Sequence, residues 1–270
     1  RNGKKFILRS ENYGVPQSRH RIFIIGVRDD INGAPRVLDQ KPTVSVKDAI
    51  SNMPRLRSGL SKNQDSVENW VHQIKKEYTE RIENEVPDTL RLKQIIRSIS
   101  MNSDDLNRGG SFVPYSNEYM STWKGDSEIK QWLNDERMDG VIQHETRGHI
   151  SSDLARYLFC AAYALQSPEG KSPKIQDWPT EKLRPDHKNI KISEPGTNGP
   201  KLRTSTHSDR FKVQAWNRPS TTVVSHISKD GHYFIHPDPE QCRSLTVREA
   251  ARLQTFPDNY FFCGNRTQQY

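Results

Sequence analysis

A chain of 270 residues can form one large domain or two modest ones, but 32% apolar content and a mean hydropathy of -0.90 imply long surface segments or a core shared with something else. No apolar run approaches the ~18 residues a membrane span requires, no signal-peptide pattern is present, and three cysteines without CxxC spacing exclude a disulfide scaffold or zinc ribbon and fit a reducing cytoplasm. The formal charge of +8 suits a polyanionic partner without requiring one.

In chain order, Lys4–Leu8 and Arg21–Val27 read as two strands. The second is too continuously apolar (Ile22, Phe23, Ile24, Ile25) to have a wet face. The turn-rich stretch Asn12-Tyr13-Gly14-Val15-Pro16 lies between them, and a linker with Asn32-Gly33 and Pro35 follows. Because Arg1 leads directly into this strand pattern, the chain is expected to begin inside a domain.

The middle reads as helical. A short helix covers Val46–Ile50. Val67, Trp70, Val71, Ile74 and Tyr78 fall at helical spacing, as do Leu92, Ile95, Ile96 and Ile99 behind Pro87-Asp88. Residues 102–126, rich in Asn, Ser, Gly and Asp, read as loop. An amphipathic helix over 151–166 carries Leu154, Tyr157, Leu158, Ala161 and Leu165 on one side, with Ser151 or Ser152 as cap. Six prolines between 167 and 210 mark an extended segment too long to be idle. Strands are expected at Arg210–Trp216, Thr221–His226 and Tyr233–Ile235, with Ser228–Gly231 as a hairpin turn. Thr246 and Glu249 form a capping box for a last helix that ends before Pro257.

Two segments carry chemistry. In the first, Gln17, Arg19 and Arg21 recur at period two and so share one side of an extended chain entering the sheet. Two guanidiniums beside an apolar strand are costly unless they meet ligands, carboxylates or phosphates. A surface edge with structural ion pairs is the other reading. The second segment runs from Arg218-Pro219-Ser220-Thr221-Thr222 to Arg248-Glu249-Ala250-Ala251-Arg252-Leu253-Gln254-Thr255-Phe256-Pro257. It reads as a hairpin plus a capped helix that exposes Arg248 and Arg252, either toward phosphates or simply to solvent.

Together, and in this order, the two segments resemble the eighth and ninth conserved blocks of the cytosine-5 DNA methyltransferases. Asn-Tyr-Gly-x-Pro-Gln-x-Arg-x-Arg matches the former; Arg-Pro-Ser-Thr-Thr and Arg-Glu-Ala-Ala-Arg-Leu-Gln-Thr-Phe-Pro-Asp match the latter. The matches cover about a third of the chain, at its two ends. The resemblance implies an α/β fold: C-terminal strands of an S-adenosylmethionine-dependent methyltransferase sheet plus an irregular α+β recognition domain. Residues 1–30 would end the catalytic domain, 31–217 would be the target-recognition region, and 218–270 would return toward the catalytic domain.

It also implies chemistry. A flipped cytosine receives a Cys thiolate at C6, a Glu protonates N3, and C5 attacks the methyl of S-adenosylmethionine. Arg21 would hold the O2 of the flipped base, where negative charge develops. Arg19 would arrange the catalytic loop, Gln17 would position the backbone near it, and Arg218 would brace the recognition domain. The cofactor loop, the Pro-Cys nucleophile and the Glu of that family precede the eighth block, so an N-terminal catalytic half is an expected partner and this chain alone is expected to be inactive. No cysteine here follows a Pro. Cys160 reads as core, and Cys242 and Cys263 as strand or loop. Gly264-Asn265 reads as a loop before the family's tenth block.

Duplex DNA is the expected partner, and a bacterial restriction-modification enzyme of the cytoplasm and nucleoid the expected context. A non-catalytic DNA-binding subunit is the alternative. Charge is concentrated at the two ends, +4 over 1–30 and +4 over 181–243, against −1 over 31–180. Base readout is therefore expected in 197–217, through Lys201, Arg203, Arg210 and Lys212 with Ser205 and Thr206, over a helical scaffold. His144-Glu145-Thr146-Arg147-Gly148-His149 misses the i,i+4 spacing of a zinc helix, and no metal is expected. His207, His226, His232 and His236 lack ligand spacing. Trp70, Trp123, Trp132 and Trp216 could stack on bases but read first as core.

Overall fold

The computed structural model describes residues 6–31, 33, 36–86, 88–103, 106–115, 128–185, 210–229 and 231–270. Lys201, Arg203, Ser205, Thr206, His207 and Trp123 lie outside the described residues. What is described is a mixed α/β chain with helices, short 3-10 turns and two-stranded sheets.

Helix α1 (Val46–Ile50) and helix α2 (Val67–Arg81) form where the spacing places them. Ser45 and Asp48 make a reciprocal capping box for α1, and Ser66 Oγ accepts from Asn69 N at the head of α2. In α2, Trp70, Ile74 and Tyr78 are buried at i, i+4, i+8. Helix α3 (Leu92–Asn102) buries Leu92, Ile96 and Ile99. Short helix α4 is Glu128–Leu133. Helix α5 (Ser151–Gln166) is largely enclosed, with Leu154, Tyr157, Leu158 and Ala161 inside, while Leu165, expected on the same side, is half exposed. Its expected serine cap is absent: Ile150 occupies the cap position and no side chain bonds the first turn. Helices α2, α3 and α5 build one core with Trp178, Leu183, Phe211, Val213 and Ile235.

The second core gathers α1, α4, Val113, Val141, Val223, Ile227 and Phe234 around helix α6 (Val247–Leu253). Helix α6 carries the expected Thr246/Glu249 box but ends at Leu253, with Gln254 as C-cap. A last short helix, α7 (Arg266–Gln269), is capped by Asn265. Residues from 46–141 and from 223–253 thus share one apolar cluster.

Strands are mostly shorter than the sequence pattern suggests, and several lie where it predicts none. β1 (Leu8–Arg9) pairs antiparallel with β3 (His20–Arg21), and β2 (Gln17–Ser18) pairs parallel with β8 (Ser220–Thr221). β4 (Gly59–Leu60) runs parallel to β7 (Gly148–His149). The longest pair is β5 (Gly109–Pro114) with β6 (Gly140–Glu145), antiparallel. β5 lies in the stretch read as loop; its glycines disguise a strand that buries Val113 and leaves Phe112 half out.

Two expectations are corrected. Residues 22–27 form no strand here; Ile22 to Ile25 are exposed, Ile24 by 95%, and no strand among the described residues pairs with them. The hairpin at 228–231 is absent. Residues Ser225–Ser228 and Gly231–Phe234 are 3-10 turns, and Arg210–Trp216 joins this region through one parallel bridge, Val213 to Ile235. Among the described residues no helix is long and apolar enough to cross a membrane.

Candidate nucleic-acid interface

The first motif is built around a kink. Gly14, at φ 78°, closes the 3-10 turn Ser10–Tyr13 in the left-handed region, which a glycine enters without strain. Ser10 Oγ then donates to Gln17 O at 2.6 Å and accepts from Arg19 N at 2.9 Å, and Arg19 N also reaches Gln17 O. These bonds bend the backbone at Ser18, so the period-two alignment expected for Gln17, Arg19 and Arg21 does not hold. Gln17 turns inward, buried, and donates through Nε2 to Leu253 O at the end of α6. Arg19 and Arg21 turn to solvent. Among the described residues Arg21 bonds its neighbour's carbonyl alone, Nη1 to His20 O.

The Arg-Pro-Ser-Thr-Thr segment locks onto this motif. β8 pairs Gln17 with Ser220 and Ser18 with Thr221, and Thr222 Oγ1 donates to Ser18 O at 2.7 Å. Thr221 bonds Gln214 Oε1 through its amide. Arg218 Nη2 donates to Gly170 O, beyond α5, while its own carbonyl accepts from Val46 N at the head of α1. Gln17 Oε1 and Ser220 Oγ, on residues registered opposite each other, are both buried with no hydrogen-bond partner among the described residues. Such orphans are rare, because each costs about 1–3 kcal/mol of lost hydration.

Arg248 and Arg252 do not form the expected exposed face; both are fully buried. Arg248 donates to Ile142 O, Pro257 O and Tyr260 O, and burial lowers its pKa to about 10. Arg252 forms a two-pronged pair with Asp258 and also bonds Asn52 and Ala49 O. The helical periodicity placed both on one face correctly. That face lies against β6 and the 254–262 turn instead of solvent.

Two adjoining cavities share Arg210 and His226 in their walls. One, of about 580 Å³, is lined by Lys212, Thr221, Thr222, Val224, Tyr233 and Phe234. Lys212 Nζ stands 5.7 Å from the Tyr233 ring centroid. The other, of about 540 Å³, adds Arg147, Lys229, Arg266 and His232. Thr222 thus connects the exposed Arg19–Arg21 segment to a wall of the cavities. Arg147, Lys229 and Arg266 had no signal in the sequence: each is a lone cation, and only the β6–β7 corner and α7 bring them together.

The remaining candidates are placed away from the junction of the two motifs or in the core. His144 and His149 lie on β6 and β7, and among the described residues no His/Cys/Asp/Glu group could hold a metal. Trp70 is core, bonded to Ser58; Trp132 is exposed and donates to Thr255 O; Trp216 packs edge-on to His236. Cys160 and Cys242 are buried, and burial raises both thiol pKa values; Cys263 is exposed.

Residues 3–270 match the model of the C-5 cytosine-specific DNA methylase family. Type II methyltransferase M.Bpa9945I of Bacillus paralicheniformis is 47% identical over 131 residues, 48% of this chain and 25% of that protein. The putative type II methyltransferase M.OihORF3336P of Oceanobacillus iheyensis is 21% identical over 272 aligned residues, 95% of this chain and 54% of that protein. Type II methyltransferase M.AquIB of Picosynechococcus sp. is 38% identical over 90 residues, 33% of this chain and 55% of that protein. The chain therefore spans about a quarter to about half the length of these relatives. With the family model covering nearly every residue, the chain belongs to the C-5 cytosine-specific DNA methylases.

Proposed function

We propose that this chain supplies the DNA-reading and base-holding side of a cytosine-5 DNA methyltransferase. The observation that carries this is the junction of the two motifs. β2–β8 and the Thr222–Ser18 bond seat Arg19 and Arg21, exposed, beside two cavities with basic walls. In this reading Arg21 meets the O2 of the extrahelical cytosine and stabilises the charge that develops there. Arg19 orders the loop that carries the nucleophile, Gln17 anchors the backbone beneath both through Leu253, and Arg218 braces the seam. Arg210 and Lys212 face the DNA; Lys201 and Arg203 would extend that surface.

The nucleophilic thiolate must come from residues other than these cysteines. Two are buried where desolvation disfavours the thiolate, and the exposed Cys263 follows Phe262 rather than a Pro. S-adenosylmethionine, the methyl donor that the family implies, does not fit the cavities described. Its sulfonium and ammonium are positive, and the charged lining here is dominated by Arg and Lys. Donor and nucleophile therefore belong to a catalytic part that packs on the exposed apolar run Ile22–Val27, which has no strand partner among the described residues. That part completes the sheet.

Full-length protein, duplex DNA and methyl-labelled S-adenosylmethionine should yield label in 5-methylcytosine. Label only in N4-methylcytosine or N6-methyladenine would refute the reading. A second reading, a non-catalytic DNA-binding subunit, is favoured by one observation: the matched 90 residues form 55% of the Picosynechococcus relative, which is thus shorter than this chain. It predicts DNA binding without methylation until a separate catalytic polypeptide is added.

A further inference from the structure

The larger motifs leave unused the cavity at the head of α5. Its cationic lining comes from four separate places: Arg147 between β6 and β7, Arg210, Lys229, and Arg266 on α7. Among the described residues its wall holds one carboxylate, Asp153, which is already paired with Arg156 Nη1 at 2.8 Å. Among the described residues, Arg147 and Lys229 have no carboxylate within ion-pair distance, and Arg266 has only a loose contact of 3.9 Å with the exposed Glu145.

Arg147 is fixed in place. Its Nη2 donates to Ile227 O at 2.7 Å, its guanidinium lies 4.7 Å from the centre of the Tyr270 ring, and its Nε is buried with no partner among the described residues. Opposite it, Tyr157 Oη joins His232 Nδ1 at 2.8 Å and His149 Nδ1 at 3.4 Å. Burial, and after it the charge of Arg147, holds the His149 imidazole well below its ordinary pKa. Among the described residues the wall is thus a set of donors in which cations outnumber carboxylates, around a recess of about 540 Å³ that has room for phosphate groups.

We propose that this cavity is a phosphate seat, occupied by the DNA backbone, in which Arg147, Lys229 and Arg266 join Arg210 in holding the duplex against the recognition surface. Guanidinium and ammonium donors in a polar recess recognise phosphodiester oxygens by charge-assisted hydrogen bonds. Contacts of this kind fix register and carry no sequence information. The inference rests on the DNA-methyltransferase reading and deepens it.

The test is a salt series of duplex binding by the full-length protein, comparing wild type with a Lys229→Gln/Arg266→Gln double variant. Both side chains are exposed, so folding should persist. Two lost phosphate contacts should reduce the slope of log affinity against log salt by about 2 and weaken every duplex alike, whatever its sequence. Lys229→Arg/Arg266→Lys should keep the wild-type slope, and Lys75→Gln, on the exposed face of α2, should leave it unchanged. A double variant whose slope overlays the wild type overturns the seat. Thermal protection of wild type by inorganic phosphate, lost in the double variant while the DNA slope stays put, would assign the cavity to a free phosphate ester and overturn its occupation by DNA. Wild type that binds no duplex at low salt removes the proposed function and this inference together; steep wild-type binding with an unaltered variant removes this inference alone.

Discussion

Arg243 and Glu249 meet in a buried two-pronged pair, Nη1 to Oε2 and Nη2 to Oε1, both at 2.7 Å, with 1% of either residue exposed. The same Oε2 accepts from Thr246 N and so closes the α6 capping box, while His236 Nε2 lies 3.5 Å from Oε1. Burial by itself would raise the Glu249 carboxyl pKa. The charge and hydrogen bonds of Arg243, helped by His236 and His144, overcome it and hold the group well below the usual carboxylate range. Removing one partner of such a pair strands the other in a low-dielectric site, typically at about 3–5 kcal/mol. Glu249→Gln should therefore destabilise by about that amount in urea unfolding, and a loss below about 1 kcal/mol would show that the pair is relaxed by water.

His144 predicts how stability responds to acid. Its Nε2 donates to Pro54 O at 2.8 Å, so Nδ1 accepts the Thr246 hydroxyl proton at 2.9 Å; the site is filled by a neutral ring. Burial, together with Arg243 and Arg252 nearby, lowers its pKa to about 4 against Glu249, which pulls the other way. An imidazole with a depressed folded pKa takes up its proton on unfolding. Its contribution is therefore complete above about pH 6.5 and drains away as pH falls toward 4, at roughly 1 kcal/mol per pH unit. His236, lowered to about 3 by burial and then by Arg243, extends the same slope. Urea midpoints should fall steadily from pH 7 to pH 5, and His144→Gln should flatten that fall. Equal slopes for both proteins would contradict the assignment.

The buried placement of Arg252 separates a structural role from a DNA role. Its two-pronged bond to Asp258 and its contacts with Asn52 and Ala49 O tie α6 to α1. Arg252→Met should cost several kcal/mol by leaving Asp258 unpaired. The salt slope of DNA binding by the folded fraction should stay at the wild-type value. A slope reduced by about 1 would instead return Arg252 to the phosphates.

What the sequence made legible follows from where each signal resides. Helices α1, α2, α3, α5 and α6 are readable because burial at 3.6-residue spacing is a local pattern, and the Thr246/Glu249 box is local too. The direction in which a face points is not local. Periodicity places Arg248 and Arg252 together, but only β6 packing on α6 shows that their face is inward. Gln17, Arg19 and Arg21 diverge because Ser10 Oγ bends the chain at Ser18, a contact that alternation does not encode. β5 was hidden by glycines that admit close backbone approach: a Cβ at Gly109 would stand 1.9 Å from His144 O. The cavity cations come from four separate stretches and have no motif at all.

The run Ile22 to Val27 predicts a partner. Isolated apolar side chains are normal on a surface, but six consecutive positions with five large exposed hydrophobics are an aggregation hazard. If they complete a methyltransferase sheet, Ile24→Lys should raise the solubility of the 270-residue chain. In the full-length protein it should abolish methylation by burying a charge against the catalytic part. Solubility and activity moving in opposite directions is the signature; unchanged activity would mean that the run stays exposed.

Arg21 offers the sharpest kinetic prediction, because its structural cost is small. It is exposed, and its one hydrogen bond among the described residues goes to the adjacent His20 O, so Arg21→Ala should shift the melting temperature little. If its guanidinium stabilises the developing charge on cytosine O2, the loss falls on kcat, by about 10²–10³, with KM for DNA changed far less. Arg21→Lys should recover only part of it, since a point charge does not reproduce the planar fork. A variant with unaltered kcat and raised KM would place Arg21 among the backbone contacts, and the flipped base would need another donor.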